Sequence, residues 1–156
     1  MTRESQDIIE SRRLGNVSNE IGMNYARKGR LEDAMQCFNE AVAWDDMDPS
    51  YHANLSWAHE QFGQNDSAVE QLREAVDVSR GNPSDIAYYS NNLGALYYRM
   101  GLYEASLKAF TIALDLVPGY EGFLANMKAA KEKVEAGSEK AITEGLKPFE
   151  QPLQAA

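Results

Sequence analysis

Apolar and small residues recur along this chain at the spacing of an α-helix, and the same arrangement returns three times. The aligned segments begin at Asn19, Ala53 and Asn91, and each holds two stretches with apolar positions three and four residues apart. That spacing is typical of one buried helix face, and a fixed period is typical of repeat proteins. The pattern therefore predicts an all-α chain built from three units of two helices each.

Turn residues separate the predicted helices at matching places. Glycines that are predicted to end the first helix of each unit stand at Gly29, Gly63 and Gly101. Units two and three each begin with a capping residue followed by proline, at Asp48-Pro49 and at Asn82-Pro83. The glycines are 34 and then 38 residues apart, whereas the prolines are 34 apart, so the four additional residues follow Pro83. Because four residues make about one helical turn, the first helix of unit three is predicted to be one turn longer.

Small residues indicate that the two helices of a unit pack closely. In unit one, Ile21, Gly22 and Tyr25 are predicted to share the packing face of the first helix. Ala34 and Phe38 are predicted to face them from the second helix. A glycine against an alanine lets two helices approach, and the aromatic rings fill the space beside that contact.

The repeated positions share their residue types across the units. They are a leucine-like residue before a small one (Ile21-Gly22, Leu55-Ser56, Leu93-Gly94), a ring three positions on (Tyr25, His59, Tyr97), a large apolar residue (Phe38, Leu72, Phe110) and an alanine (Ala41, Ala75, Ala113). This pattern resembles the tetratricopeptide repeat (TPR) over residues 15 to about 120. The resemblance implies a right-handed α-solenoid with TPR 1 at 15–48, TPR 2 at 49–82 and TPR 3 at 83–120.

The segments that flank the repeats are predicted to be helical at both ends. Residues 1–14 are a leading helix, continuous with the first repeat helix, or an extension. Because the last unit of a solenoid leaves an apolar face bare, residues 121–137 are predicted to form a capping helix that ends at Gly137. Residues 138–156 are predicted to be a flexible tail, or a segment that docks in an extended form.

Charge and the lack of long apolar runs narrow the range of partners. The net charge is −9, with +2 on residues 1–30 and −10 on residues 31–79. Such a chain should repel nucleic acid and anionic membrane. No stretch has the length of a signal peptide or a membrane span, and a single cysteine, Cys37, suits a reducing compartment, so a cytoplasmic protein without membrane insertion is predicted. The acidic segment is either a solvated surface or a surface for a basic partner.

No group of residues predicts catalysis, a metal or a cofactor. Nucleophilic catalysis would need Cys37 beside His52 or His59, and the repeat register places both Cys37 and His59 at packing positions. His52 and His59 are seven residues apart. That separation is about 10 Å along a helix, too far to share one ion. The chain is therefore predicted not to be an enzyme.

The resemblance implies a concave groove, lined by the first helix of each unit, in which a peptide or protein segment lies. At about 100° per residue, one strip of each first helix points into that groove, beside the packing face. The predicted peptide-binding residues on this strip are Asn19, Met23, Arg27, Asn54, Trp57, Glu60, Tyr88, Asn91, Asn92, Tyr98 and Arg99. Asparagine amides both donate to and accept from a peptide backbone, and Trp and Tyr are frequent hot spots.

This composition predicts a protein-interaction module, acting as an adaptor or an assembly chaperone. TPR co-chaperones that grip the acidic C-terminus of heat-shock chaperones place cationic side chains around asparagines. The corresponding places here hold Asn19, Tyr88 and Asn92, so that carboxylate clamp is predicted to be absent. One alternative is a self-assembling scaffold, a homo-oligomer formed through the groove or the tail. The other is a type III secretion translocator chaperone, which shares the architecture of a leading helix and three repeats.

Overall fold

A computed structural model describes residues 2–143, with side chains described for residues 2–137. Those residues form helices joined by short turns, and no strand occurs among them. The helices are α1 (Arg3–Arg27), α2 (Leu31–Trp44), α3 (Pro49–Gln61), α4 (Asn65–Val78), α5 (Pro83–Arg99), α6 (Tyr103–Leu116) and α7 (Glu121–Thr143).

Successive helices pack in pairs, and the pairs stack in chain order. Unit one is α1 with α2, unit two is α3 with α4, and unit three is α5 with α6. The second helix of each unit also packs on the next element, so that α6 packs on α7. The junctions begin with the predicted caps, because the side chains of Asp48 and Asn82 accept hydrogen bonds from the backbone N–H groups of Ser50 and Ser84.

The first helices differ in length. Helix α1 has 25 residues, so the leading segment and the first repeat helix are one continuous element. Helix α5 has 17 residues against 13 in α3, and the additional turn follows the proline at its start. The extension of α1 carries it beyond the end of α2.

The capping helix was predicted to end at Gly137, and this prediction is wrong. Helix α7 continues through that glycine to Thr143. Gly29, Gly63 and Gly101 end their helices with φ of +73°, +69° and +76°, whereas Gly137 is helical and exposed. A glycine inside an exposed helix costs only about 1 kcal/mol relative to alanine, so it does not by itself end the helix. Of the predicted tail, residues 138–143 belong to α7 and residues 144–156 lie outside the described part.

Close helix contacts within a unit depend on glycine in units one and three. A Cβ atom added to Gly22 would lie 2.7 Å from a ring carbon of Phe38, and one added to Gly94 would lie 2.6 Å from Phe110. Unit two replaces the glycine by Ser56, whose buried hydroxyl donates to the carbonyl of Ala68 at 2.7 Å. Ring packing against glycine therefore joins the helices of units one and three. A buried hydroxyl adds a hydrogen bond in units two and three, where Ser106 donates to the Gly94 carbonyl at 2.8 Å.

Ile21 does not lie in a buried packing face, contrary to the prediction. Its side chain is 44% exposed. The equivalent residue Leu55 packs with Phe38 of the preceding unit, and Leu93 packs against Leu72 in the same way. Within residues 2–143 no second helix precedes α1, so the side chain at this register has no neighbour to cover it.

Candidate peptide-binding groove

The first helices and α7 lie side by side and form one face, which we call the groove face. Neighbouring helices on this face meet at three places. We call them the first junction (α1 with α3), the middle junction (α3 with α5) and the last junction (α5 with α7). Polar side chains one repeat apart meet across each junction, and their partners decide which groups stay available to a ligand.

At the first junction, two hydrogen bonds tie α1 to α3. The Asn54 amide donates to the Asn19 side-chain oxygen at 2.7 Å, and the Tyr51 hydroxyl donates to the Asn16 side-chain oxygen at 2.8 Å. Asn19 is 8% exposed. Two predicted peptide-binding asparagines therefore bond to each other, and Asn19 serves chiefly to join the units.

The last junction repeats the amide bond. Asn126 on α7 donates to the side-chain oxygen of Asn91 at 2.8 Å, again with a separation of 35 residues. Beside this bond lies a cavity of about 510 Å³ whose walls include Tyr88, Tyr120 and Phe123. The Tyr88 ring is 55% exposed and packs edge-on against Tyr89, and the Tyr120 and Phe123 rings are 4.5 Å apart between centroids. This junction therefore offers a concave aromatic surface.

The middle junction lacks the amide bond, although its geometry is equivalent. Ala53 occupies the register of Asn19 and Asn91, so the half-buried Asn92 faces a methyl group where its counterparts face an amide oxygen. Within residues 2–137 the Asn92 side chain has no hydrogen-bond partner. Its amide therefore remains free to donate and to accept.

A cavity of about 180 Å³ surrounds this free amide. Its walls include Trp57 and Leu72, together with the ion pair of Glu60 and Arg99. Arg99 donates from two nitrogens to both carboxylate oxygens of Glu60, with 2.9 Å from Nη2 to Oε2. The arrangement combines one unpaired amide, one indole that is 38% exposed, and a charge pair that is already neutralised.

The remaining predicted site residues lie elsewhere. Met23 packs against the core cluster of unit one, and the Arg27 guanidinium donates to the Met23 carbonyl of its own helix at 3.2 Å. Tyr98 packs edge-on against Tyr103, with ring centroids 5.3 Å apart. None of the three lines either groove-face cavity. The structure thus brings together Trp57, Glu60, Asn92 and Arg99 at the middle junction, and Tyr88 with Asn91 at the last one.

Sequence reasoning missed the contribution of α7 to this face. Asn126 stands 34 residues after Asn92, so the register of the repeats continues into the capping helix. This 34-residue period could have predicted the contact, because a residue one repeat after Asn92 lies opposite α5 at the last junction. Phe123, which lies in the predicted capping helix, and Tyr120, just before that helix, also form a wall of the aromatic cavity.

The surroundings of Cys37 and His52 can be compared with what a nucleophile and its base would need. Burial, with Glu40 and Asp33 beside it, raises the pKa of the Cys37 thiol, the opposite of what activates a cysteine nucleophile. The ring nitrogens of His52 lie 2.9 Å from the Gln71 side-chain oxygen and from the Asp46 carbonyl. Across residues 2–137, no three His, Cys, Asp or Glu side chains converge in a way that would hold a metal ion. No described helix is both long and apolar enough to span a bilayer.

Comparison with protein families supports the repeat assignment. Two family models described as tetratricopeptide repeat match the chain, one over residues 53–121 and the other over residues 16–46. The chain is also 27% identical over 105 residues to small glutamine-rich tetratricopeptide repeat-containing protein 2 of Mycosarcoma maydis. That match covers 67% of this chain and 29% of the relative, so the chain spans less than a third of the relative's length.

Solved structures share the fold at low sequence identity. The first TPR of Spaghetti (RPAP3) bound to the HSP90 peptide SRMEEVD has a TM-score of 0.69 and 18% identity, over 80% of this chain and 95% of that one. The Sgt2 TPR domain from Aspergillus fumigatus also has a TM-score of 0.69 and 18% identity, over 91% of this chain and 90% of that one. These likenesses confirm the predicted all-α, right-handed solenoid of TPR units.

Proposed function

Since the chain belongs to the tetratricopeptide repeat family, we propose that it is an adaptor or assembly chaperone that holds a segment of another protein on its groove face. The segment lies across α3, α5 and α7, and it contacts both the middle and the last junction. A peptide or protein segment is the only partner that this function requires, and it needs no metal, cofactor or nucleic acid. Cytoplasmic placement is part of the same proposal.

The free amide of Asn92 is the observation that carries this proposal. An amide that both donates and accepts can pair with a peptide backbone whatever side chains the peptide carries, for about 1 kcal/mol net per hydrogen bond. Trp57 beside it supplies apolar area of the kind found at interface hot spots. The cavity of about 180 Å³ between them has room for one apolar side chain of the ligand.

The proposed ligand differs in chemistry from the HSP90 peptide SRMEEVD that RPAP3 binds in its solved complex. That peptide is acidic at its C-terminal end. Here the places that carry the clamp cations in such co-chaperones hold Asn19, Tyr88 and Asn92, and Glu60 already neutralises Arg99. We therefore propose that the groove reads backbone and apolar groups of an internal segment, without requiring a free carboxylate.

A displayed library of random peptides tests both parts of this proposal. Peptides selected on the full chain should bind equally well with a free or an amidated C-terminus. Asn92→Ala should weaken the selected peptides about fivefold, since it removes one or two hydrogen bonds. Trp57→Ala should weaken them about thirtyfold or more, as for a hot-spot aromatic. Isothermal titration calorimetry of each variant gives the comparison.

Asn54→Ala is the matched control, because it removes the same side chain from the equivalent register of the preceding first helix. The Asn54 amide is bonded to Asn19, so this variant should lose stability and retain most of its affinity. A loss of affinity equal to that of Asn92→Ala would contradict the role assigned to the middle junction. Selection of peptides that require an acidic C-terminal carboxylate would overturn the absence of a clamp.

A further inference from the structure

Helix α1 packs against α2, and its leading part extends past the end of α2. A Cβ atom on Gly15 would lie 3.3 Å from the carbonyl oxygen of Ala41, so Gly15 faces the last turn of α2. Helix α2 ends at Trp44, whereas α1 begins at Arg3. About three turns of α1, the segment 3–14, therefore extend beyond the helix pair, and we call this segment the overhang.

A groove opens where the overhang leaves α2. It is a cavity of about 720 Å³, and its apolar lining residues are Ile8, Trp44 and Met47. Their exposed fractions are 49%, 47% and 62%. Three large apolar side chains left bare around one concave surface indicate an interaction site.

Two charges of opposite sign, Glu4 and Arg12, flank Ile8 on the overhang, and Arg3 and Asp7 line the same groove. Glu4, Ile8 and Arg12 all line the groove, and they are spaced four residues apart along one face of α1. Glu4 therefore lies about 6 Å along the helix on one side of Ile8, and Arg12 lies about 6 Å along it on the other. If two such helices lie antiparallel with their Ile8 residues in contact, each Glu4 meets the Arg12 of the other helix, twice by symmetry.

The overhang differs in charge from the acidic segment that forms the other wall of the groove. Residues 31–79 carry −10, and this segment supplies Trp44 and Met47 to the groove together with Asp45 and Asp46. Residues 1–30 carry +2, and the overhang itself has as many basic as acidic groups. Arg12 lies 3.7 Å from Asp45 at the wall of the groove, and its side chain is 67% exposed, so its guanidinium can donate to a second carboxylate as well.

We propose that a second copy of this chain fills the groove, by antiparallel contact of the two overhangs about a twofold axis near Ile8. Ile8, Trp44 and Met47 of both copies form the apolar centre of the interface. Glu4 of each copy pairs with Arg12 of the other at the rim. The contact is isologous, so it closes at a dimer and leaves the groove faces of both copies open.

Analytical ultracentrifugation of the full chain over a range of concentrations tests this proposal. The wild type should change from monomer to dimer as the concentration rises, and Ile8→Asp should remain a monomer throughout. Glu4→Arg and Arg12→Glu should each raise the dissociation constant about tenfold or more, because each reversal places like charges together at two symmetric sites. The double variant Glu4→Arg with Arg12→Glu restores both pairs between the copies but still lacks the contact of Arg12 with Asp45, so it should bind several-fold more tightly than Arg12→Glu alone.

Glu10→Arg is the control for the charge reversals. Glu10 does not line the groove and pairs with Arg13 on another face of α1, so its reversal should leave the dissociation constant unchanged. A wild type that is monomeric at every concentration overturns the proposal. A double variant that stays as weak as the single ones, or a Glu10→Arg effect as large as that of Glu4→Arg, overturns it as well. Circular dichroism confirms that each variant is folded.

Discussion

The first and middle junctions place the same backbone positions opposite each other and join them differently. At the first junction, Tyr51 bonds to Asn16 and Asn54 bonds to Asn19. At the middle junction, the residues at the registers of Tyr51 and Asn54 are Tyr89 and Asn92. Within residues 2–137, neither of these side chains has a hydrogen-bond partner.

The difference comes from the acceptors, since the donors are alike. Asn16 and Asn19 of unit one are replaced by Ser50 and Ala53 in unit two. The Ser50 hydroxyl already donates to the Asp48 cap, and the Ala53 side chain has no polar atom. A junction with both hydrogen bonds ties two units of the solenoid together, whereas a junction without them leaves a polar group available to a ligand. The comparison therefore separates residues that join units from residues that are free to bind.

Asn19→Ala should have the largest effect on stability among the changes at these junctions. It removes the acceptor of the Asn54 amide and leaves that half-buried donor unpaired, which should cost about 1–3 kcal/mol of the free energy of unfolding. Urea denaturation followed by circular dichroism, with an unchanged m-value, measures the loss.

Asn92→Ala is the control for this first prediction, because it removes the same side chain from a junction without the bond. Its cost should stay within about 0.5 kcal/mol, as for ordinary surface changes. Equal losses in the two variants would mean that the first junction is no more tightly joined than the middle one.

Removal of a tyrosine hydroxyl should have the next largest effect on stability, and the cost should differ between the two junctions. Tyr51→Phe removes the hydrogen bond to Asn16 and should cost about 1 kcal/mol at neutral pH. Tyr89→Phe removes no hydrogen bond within the described residues and should cost less than half of that amount. A larger cost for Tyr89→Phe would show that its hydroxyl holds the middle junction.

Alkaline pH gives a separate readout of Tyr89. Burial, with Asp85, Asp48 and Tyr88 nearby, raises the pKa of Tyr89 from 10.0 to about 12. Because the unfolded phenol loses its proton at lower pH than the folded one, this group's contribution to stability is complete below pH 10 and falls as the pH rises to about 12. Tyr89→Phe should therefore lose less stability than the wild type over that range, as measured by urea midpoints at a series of pH values.

Sequence patterns predicted the helices better than the contacts between them. The 34-residue period, the turn glycines and the Asp48 and Asn82 caps depend on local backbone chemistry, which one segment of sequence contains. The helical period placed Trp57 and Glu60 on the groove strip of α3, and Asn92 and Arg99 on the groove strip of α5. The structure brings these four side chains together.

The hydrogen bonds across the junctions depend on two helices that are distant in the chain, and the sequence pattern did not predict them. Asn19 and Asn54 were predicted as separate ligand contacts, although each is the other's partner, because the lateral offset between neighbouring helices is set by packing. Ile21 follows the repeat pattern and is nevertheless exposed, because burial at that register requires a preceding unit. Gly137 carries the residue type of a helix end without the turn that would use it.

Converting the middle junction into a copy of the first tests the comparison in the opposite direction. Ala53→Asn would place an acceptor opposite Asn92 and should add about 1 kcal/mol to the free energy of unfolding through a third amide bond. The same variant should weaken peptides selected on the wild type about fivefold, because the Asn92 amide is then occupied. Greater stability together with unchanged peptide affinity would show that Asn92 does not bind the ligand.

Glu60→Gln should have the smallest effect, because the ion pair of Glu60 and Arg99 is largely at the surface. The Arg99 side chain is 55% exposed and that of Glu60 is 24% exposed, so the loss should be only about 0.5 kcal/mol at low salt. It should shrink as sodium chloride screens the pair in the wild type. The variant also leaves Arg99 without its carboxylate, and peptides with acidic residues should then bind more tightly than to the wild type, whereas neutral peptides should not. Calorimetry with an acidic and a neutral version of one selected peptide distinguishes these outcomes, and equal changes for both would show that Arg99 does not face the ligand.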